Sequence, residues 1–212
     1  IRKSNEDQTM EEKLLYAEIV GLVDDKSSFK EMMLKNIFLL LKLKHKEDTL
    51  MEIKRSLEIM ERLSRYSRFQ EMLRTIGFEL IFKTLMKLYG KNKEITVGLS
   101  NVFLKYTYQS NDNKFEMFET IKMLMKFISE FYKQDDRQVV ILLYKCLINA
   151  SLMKKNSEFM IKAGLKDVLV SCFYNNDDEF HLVFLSLLFN ISHQLDEEEI
   201  KSELLFEKET FD

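Results

Sequence analysis

The chain has 212 residues, 46% of them hydrophobic and 32% charged, with a net charge of −3, a composition that excludes a disordered chain and suits one well-buried domain or a short array of repeated units. It contains no proline and only five glycines, which excludes turn-rich β architectures and favours helices joined by short polar links. Residues 196–212 hold eight acids against two lysines, a balance of −6 that leaves +3 on the other 195 residues, too small a surplus for a committed nucleic-acid binder.

Residues 1–10 read as a flexible lead. Residue 1 is Ile, as in a fragment or processed chain, and no signal peptide is visible at the start. From residue 11 onward apolar residues recur at three- and four-residue steps, the helical period. Helices are predicted over Glu11–Val23, Phe29–Leu43 and Thr49–Leu63. Next come a short helix over Tyr66–Thr75, Gly77, a second helix, a polar break at Lys91–Lys93 and a third helix containing Asn101. In the second helix Leu80, Ile81, Leu85, Met86, Leu88 and Tyr89 form a stripe wide enough for burial from two sides.

The same order of parts follows twice more. A short helix over Lys114–Glu119, with Thr120 near the glycine position, leads to a break at Gln134–Asp136 and a third helix with Asn149. Another over Asn156–Lys162 leads to Gly164, a break at Asn175–Asp178 and a third helix with Asn190. Gly77 and Gly164 stand 87 positions apart, two periods of about 43, a spacing proper to two- or three-helix repeats. A glycine after each short helix takes positive φ without a Cβ clash. Asp135–Asp136 and Asp177–Asp178 are placed to start helices, where carboxylates oppose the dipole. The units are thus about 11–65, 66–110, 111–155 and 156–194, one domain over 11–194. The segment "LDEEEIKSELLFEKETFD", residues 195–212, reads as an acidic capping helix or tail with Leu195, Ile200, Leu204 and Leu205 on one side. A rarer reading folds it onto groove lysines in competition with a ligand.

Catalytic and metal signatures are lacking. His45, His181 and His193 have no ligand spacing, and no HExxH, GxSxG or Cys-x-x-Cys pattern occurs. Gly90 and Lys91 lack the rest of a phosphate loop. Cys146 and Cys172 sit in apolar segments and read as reduced core thiols. The longest apolar stretch, around Val139–Met153, is interrupted by Lys145 and Asn149 and is no membrane span. Phe115, Met117 and Phe118 are a candidate exposed patch. No enzyme activity, cofactor or metal is expected, and the cytoplasm or nucleus is the expected location.

"IKAGLKDVLVSCF…DDEFHLVFLSLLFNIS" resembles the armadillo repeat: short helix, Gly, second helix, and a long third helix ending in a Leu-x-Asn-Ile-Ser motif. The resemblance covers residues 66–194, and more loosely 11–65. It implies an all-α fold, a right-handed α-solenoid of three to four armadillo/HEAT-like repeats whose third helices line a concave face. Nuclear-import members carry Trp four residues before the Asn, where this chain has Val97, Lys145 and Ser186. By this resemblance Asn101, Asn149 and Asn190 occupy matching positions, where the family's asparagines clamp an extended ligand. An amide both donates and accepts, so it can pair with a peptide N–H and C=O together. The competing reading makes them structural amides capping neighbouring helices. Asn149 and Asn190 also match the N-glycosylation pattern, inside apolar helices. Lys105, Lys145 and Gln194, one turn from the asparagines, complete the candidate partner-binding face. The expected function is an adaptor or scaffold holding a segment of another protein. Alternatives are an armadillo-type co-chaperone that promotes nucleotide release from Hsp70, and an RNA- or ribosome-associated factor with lysines on phosphate.

Overall fold

The computed structural model describes residues 47–64, 67–75, 77–108, 114, 117–174 and 177–195. The helices expected over Glu11–Val23 and Phe29–Leu43, the lead 1–10, His45, Phe115 and the acidic segment after Leu195 lie outside the described residues. The chain divides into two units, 1–53 and 54–212. Only residues 47–53 of the first are described, as the opening turns of a helix that runs on into the second.

The described residues form nine α-helices and no strand. They are α1 (Glu47–Leu63), α2 (Ser67–Thr75), α3 (Phe78–Tyr89), α4 (Lys93–Thr107), α5 (Phe118–Lys133), α6 (Arg137–Ala150), α7 (Lys154–Lys162), α8 (Leu165–Ser171) and α9 (Asp178–Gln194). The protein is all-α.

The chain reverses where its sequence allows. Gly77 and Gly164 both sit in the left-handed region, at φ 75° and 88°, between a short helix and the next one. There the backbone N–H of each turns back to a carbonyl of the short helix, Arg74 and Ile161 respectively. The middle unit has no such residue ahead of its second helix; its left-handed residue is Asp135, φ 55°, between α5 and α6. The position expected at Thr120 lies inside α5, which starts at Phe118 after Met117, so Glu119 belongs to α5 and not to a lead helix. Third helices α4, α6 and α9 start on Asn92, Asp136 and Asp177, whose side chains accept from the N–H groups of Ile95, Val139 and Phe180.

The second unit packs in two layers. Helices α4, α6 and α9 lie side by side in chain order, and α3, α5 and α8 form a second row against them. Helix α6 is covered from three directions, by α4, α9 and α5, so Val139, Val140, Ile141, Leu143, Tyr144, Cys146, Leu147 and Ala150 are all buried. The polar interruptions of this apolar stretch, Lys145 and Asn149, are half-buried, as are Leu142 and Ile148. Between the layers Phe78, Phe82, Phe103, Phe131, Tyr144 and Phe180 are fully buried, each contributing about 1.5–3 kcal/mol by removal from water. Helix α3 is covered on one side, not two: Ile81, Phe82, Leu85, Met86 and Tyr89 are buried, whereas Leu80 and Leu88 are exposed. The expected patch at Met117 and Phe118 is not exposed either. Met117 is buried and Phe118 stacks on Phe159, ring centroids 4.6 Å apart.

Contacts across the rows recur at a nearly fixed offset. Lys93, the first residue of α4, pairs with Asp136, the cap of α6, at 2.8 Å. Arg137, the first residue of α6, donates to Asp177, the cap of α9, at 2.6 Å through Nη2. The two pairs are separated by 44 positions on one side and 41 on the other. The second-helix row follows suit: Thr120 donates to Glu79 across 41 positions, and Tyr132 to the Phe173 carbonyl across 41.

Candidate functional site

The open face of α4, α6 and α9 carries the residues that the sequence singles out, and their hydrogen bonds set the register. Each third helix ends in carbonyls that have no partner within the helix. Asn149 of α6 donates through Nδ2 to the Leu104 carbonyl and to Thr107 Oγ1, both at 3.1 Å. Asn190 of α9 donates to the Ile148 carbonyl and to Ser151 Oγ, both at 3.2 Å. In both cases the carbonyl accepts only, so the amide orientation is fixed by chemistry.

The third member of this row is not Asn101. Lys105 Nζ donates to the Glu61 carbonyl at 3.2 Å and to Glu61 Oε1 at 2.9 Å. The row of donors is therefore Lys105, Asn149 and Asn190, onto the carbonyls of Glu61, Leu104 and Ile148. Asn101 sits one turn earlier, in the register of Lys145, and donates to Glu61 Oε2 at 3.3 Å. The one-to-one match of three asparagines expected from the sequence thus breaks at α4. The reason is chemical: an ammonium and an amide serve equally as a second donor to carbonyls that already accept locally, Glu61 from Ser64 Oγ, Leu104 from the Tyr108 N–H and Ile148 from Ser151 Oγ.

Both amide hydrogens of Asn149, and both of Asn190, are engaged inside the chain. Their Oδ1 atoms accept no hydrogen bond from the described residues, so the amides retain acceptor capacity only. The two-sided clamp on a peptide bond expected from the sequence would require breaking these bonds.

Between α4 and α6 the face sinks into a depression of about 320 Å³ lined by Leu104, Lys105, Tyr108, Lys145, Ile148 and Asn149. It brings together three of the expected residues, Lys105, Lys145 and Asn149. Asn101, Asn190 and Gln194 do not line it. Tyr108, 59% exposed, stands at its rim. Both lysines are neutralised locally: Lys105 by Glu61 at 2.9 Å, and Lys145 by Glu179 at 3.1 Å. Glu179 also receives Arg137 at 3.2 Å, and the hydrogen bond from Lys145 is the main cause of its lowered pKa. Asp177 is lowered to about 2, first by the Arg137 hydrogen bond and then by the Phe180 N–H.

Sequence reasoning missed the apolar floor, Leu104 and Ile148, and the clasps Lys93–Asp136 and Arg137–Asp177. The clasps did leave a signal, a basic residue immediately after an Asx cap. It also missed Asn156, buried at the start of α7. Its Nδ2 donates to the Lys114 and Ala150 carbonyls at 2.6 and 3.0 Å, and its Oδ1 accepts from Met117 N–H at 3.1 Å. The remaining chemistry is quiet. Cys146 is buried and its thiol pKa is pushed up by desolvation. Among the described residues no three His, Cys, Asp or Glu converge on a metal position, and no helix is long and apolar enough to cross a membrane.

Comparison with family models, with characterised proteins and with solved structures returns no match.

Proposed function

We propose that the 41–44-residue recurrence is that of a short α-solenoid of armadillo-like units, and that the α4–α6–α9 face holds a segment of another protein without chemistry of its own. The observation that carries the reading is the depression between α4 and α6. It has an apolar floor of Leu104 and Ile148, an exposed tyrosine at its rim, and an amide oxygen at Asn149 that awaits a donor. That combination suits one apolar side chain of a bound segment, with a neighbouring backbone N–H given to Asn149 Oδ1. Stacking of like units leaves such a face open along its length. The pairing of Lys105 and Lys145 with glutamates weighs against phosphate as the ligand, because each ion pair would have to open first.

The test is selection of a random peptide library on the full chain, followed by fluorescence polarisation of the enriched peptides. Tyr108→Ala and Ile148→Asp should each weaken binding about tenfold or more, equivalent to about 1.4 kcal/mol. Leu80→Asp, on the exposed side of α3, should leave it unchanged. Failure to enrich any peptide, or equal binding by all variants, refutes the reading.

A further inference from the structure

In the second row, α3 and α5 leave a groove of about 450 Å³ between them. It follows one stripe of α5, from Glu119 through Lys122 and Lys126 to Glu130, and passes the last turn of α3. Met86, Gly90, Met123 and Phe127 are buried and form its floor. Gly90 lets the end of α3 lie directly on Phe127, since an added Cβ would fall 2.2 Å from that ring. Lys87 and Lys91 stand exposed on the α3 side, beside Leu88, which is 46% exposed. Lys122 and Lys126 stand exposed on the α5 side.

Four lysines and two glutamates line this groove, a surplus of two positive charges on a chain whose net charge is −3. Little of it is cancelled within the chain. Lys122 approaches Glu119 at 3.4 Å and Lys126 approaches Glu130 at 3.6 Å, both along α5 itself. Exposed pairs of this kind hold weakly. Lys122 also lies 5.5 Å from the centre of the Phe159 ring, and Lys126 5.7 Å from that of Phe127. Such contacts steady an ammonium without neutralising it. Lys87 and Lys91 make no ion pair with any described residue. Lys105 and Lys145, by contrast, are tied to glutamates of other helices at 2.9 and 3.1 Å.

Length and charge decide the occupant. The stripe from Glu119 to Glu130 is about 16 Å long, the reach of about five extended residues. A nucleic acid would run its phosphates past Glu119 and Glu130, which close the two ends with the wrong sign. No arginine stands among the described residues of the lining to hold phosphate bidentately, and Phe127 is too buried for a base to stack on. A short acidic peptide meets none of these obstacles. Carboxylates at alternate positions of an extended chain lie about 7 Å apart, close to the spacing of Lys122 and Lys126 and of Lys87 and Lys91, each pair one helical turn apart. An apolar side chain among them meets Leu88. We propose that the α3–α5 groove is a second docking surface that takes a short, extended, acidic segment of another protein, its carboxylates on Lys87, Lys91, Lys122 and Lys126. The inference stands on α3 and α5 alone and does not depend on the reading of the α4–α6–α9 face.

The test is fluorescence polarisation of the full chain with a labelled peptide that sets one leucine between paired glutamates. The comparisons are the same peptide with glutamines for glutamates, and a labelled single-stranded RNA of similar length. The glutamate peptide should bind about tenfold or more tighter than the glutamine one at low ionic strength, and lose that advantage as salt rises. Lys87→Ala combined with Lys91→Ala should weaken it about fivefold or more. Lys162→Ala, an exposed lysine of α7 outside the groove, and Ile148→Asp, in the α4–α6 depression, should leave it unchanged. On the unaltered chain, the peptide should slow acylation of Lys87, Lys91, Lys122 and Lys126 by an amine-reactive reagent, and not that of Lys162. Equal binding of the two peptides, or full binding by the double variant, overturns the proposal. RNA that binds tighter than the peptide and protects the same four lysines overturns it in favour of nucleic acid. Loss of binding in Ile148→Asp alone overturns it by moving the segment to the other face.

Discussion

Replacing Asn156 by alanine is the most searching perturbation of this fold. The side chain is buried and ties together three elements: the Lys114 carbonyl, the Ala150 carbonyl at the end of α6, and the Met117 N–H that precedes α5. Alanine leaves the Lys114 carbonyl and the Met117 N–H without the partner that Asn156 gave them, and the Ala150 carbonyl with only the long 3.4 Å bond from the Met153 N–H. An orphaned buried group costs about 1–3 kcal/mol, and water entering the vacated space recovers part of that, so the net loss is about 3–5 kcal/mol. For a chain of this size that corresponds to a fall in Tm of about 10 °C. Asn156→Asp goes further, because it turns oxygen toward two carbonyl oxygens and buries a charge beside them. The assay is urea unfolding followed by far-UV circular dichroism, with Asn190→Ala as the comparison. Asn190 is half-buried, water can replace its amide, and its loss should stay near 1 kcal/mol. An Asn156→Ala chain within about 1 kcal/mol of the parent would refute the accounting of its three bonds.

Two other perturbations probe different physics. Gly90 has ordinary helical φ, but an added Cβ would lie 2.2 Å from Phe127 Cζ. Gly90→Ala must displace that ring and should cost about 1–3 kcal/mol, against about 1 kcal/mol for Gly77→Ala, where only the left-handed backbone objects; thermal unfolding ranks the two. Asp177 carries a pKa of about 2, below its ordinary 3.8. Its contribution to stability is therefore complete above about pH 4 and lost as pH falls toward 2. Asp177→Asn should flatten the acid limb of a stability–pH curve, and an unchanged limb would show that the Arg137 clasp is not what holds α6 to α9.

Much of this architecture was legible because a few residue types leave little choice. Glycine after a short helix announced the reversals at Gly77 and Gly164, and aspartate before an apolar run announced the caps at Asp136 and Asp177. The middle unit was misjudged because Met117 makes its turn without positive φ, which no residue type signals. The width of the α3 stripe misled for another reason. Periodicity shows which residues share a side of a helix but not how many neighbours cover it, and Leu80 and Leu88 stayed open. On the candidate face the asparagines were found by identity, whereas the structure sorts them by what they donate to. Lys105 and Asn149 hold equivalent carbonyls although nothing in their letters matches. The depression itself depends on Leu104 and Ile148 facing each other across two helices 44 positions apart, a juxtaposition that no local pattern encodes.

The clasps at the helix starts carry a consequence for how such a chain tolerates change. Lys93 and Arg137 fill one slot, and Asn92 and Asp136 fill the slot before it. Excising residues 93–136 as a block would bring Asn92 up against Arg137, with a capping side chain and a basic residue in their accustomed order and α3 beneath α6 in the place of α5. Removing half that length would set a cap in mid-helix and misalign every cross-row bond downstream. Deleting such a block whole should therefore leave a cooperatively unfolding helical chain, whereas deleting half of it should not.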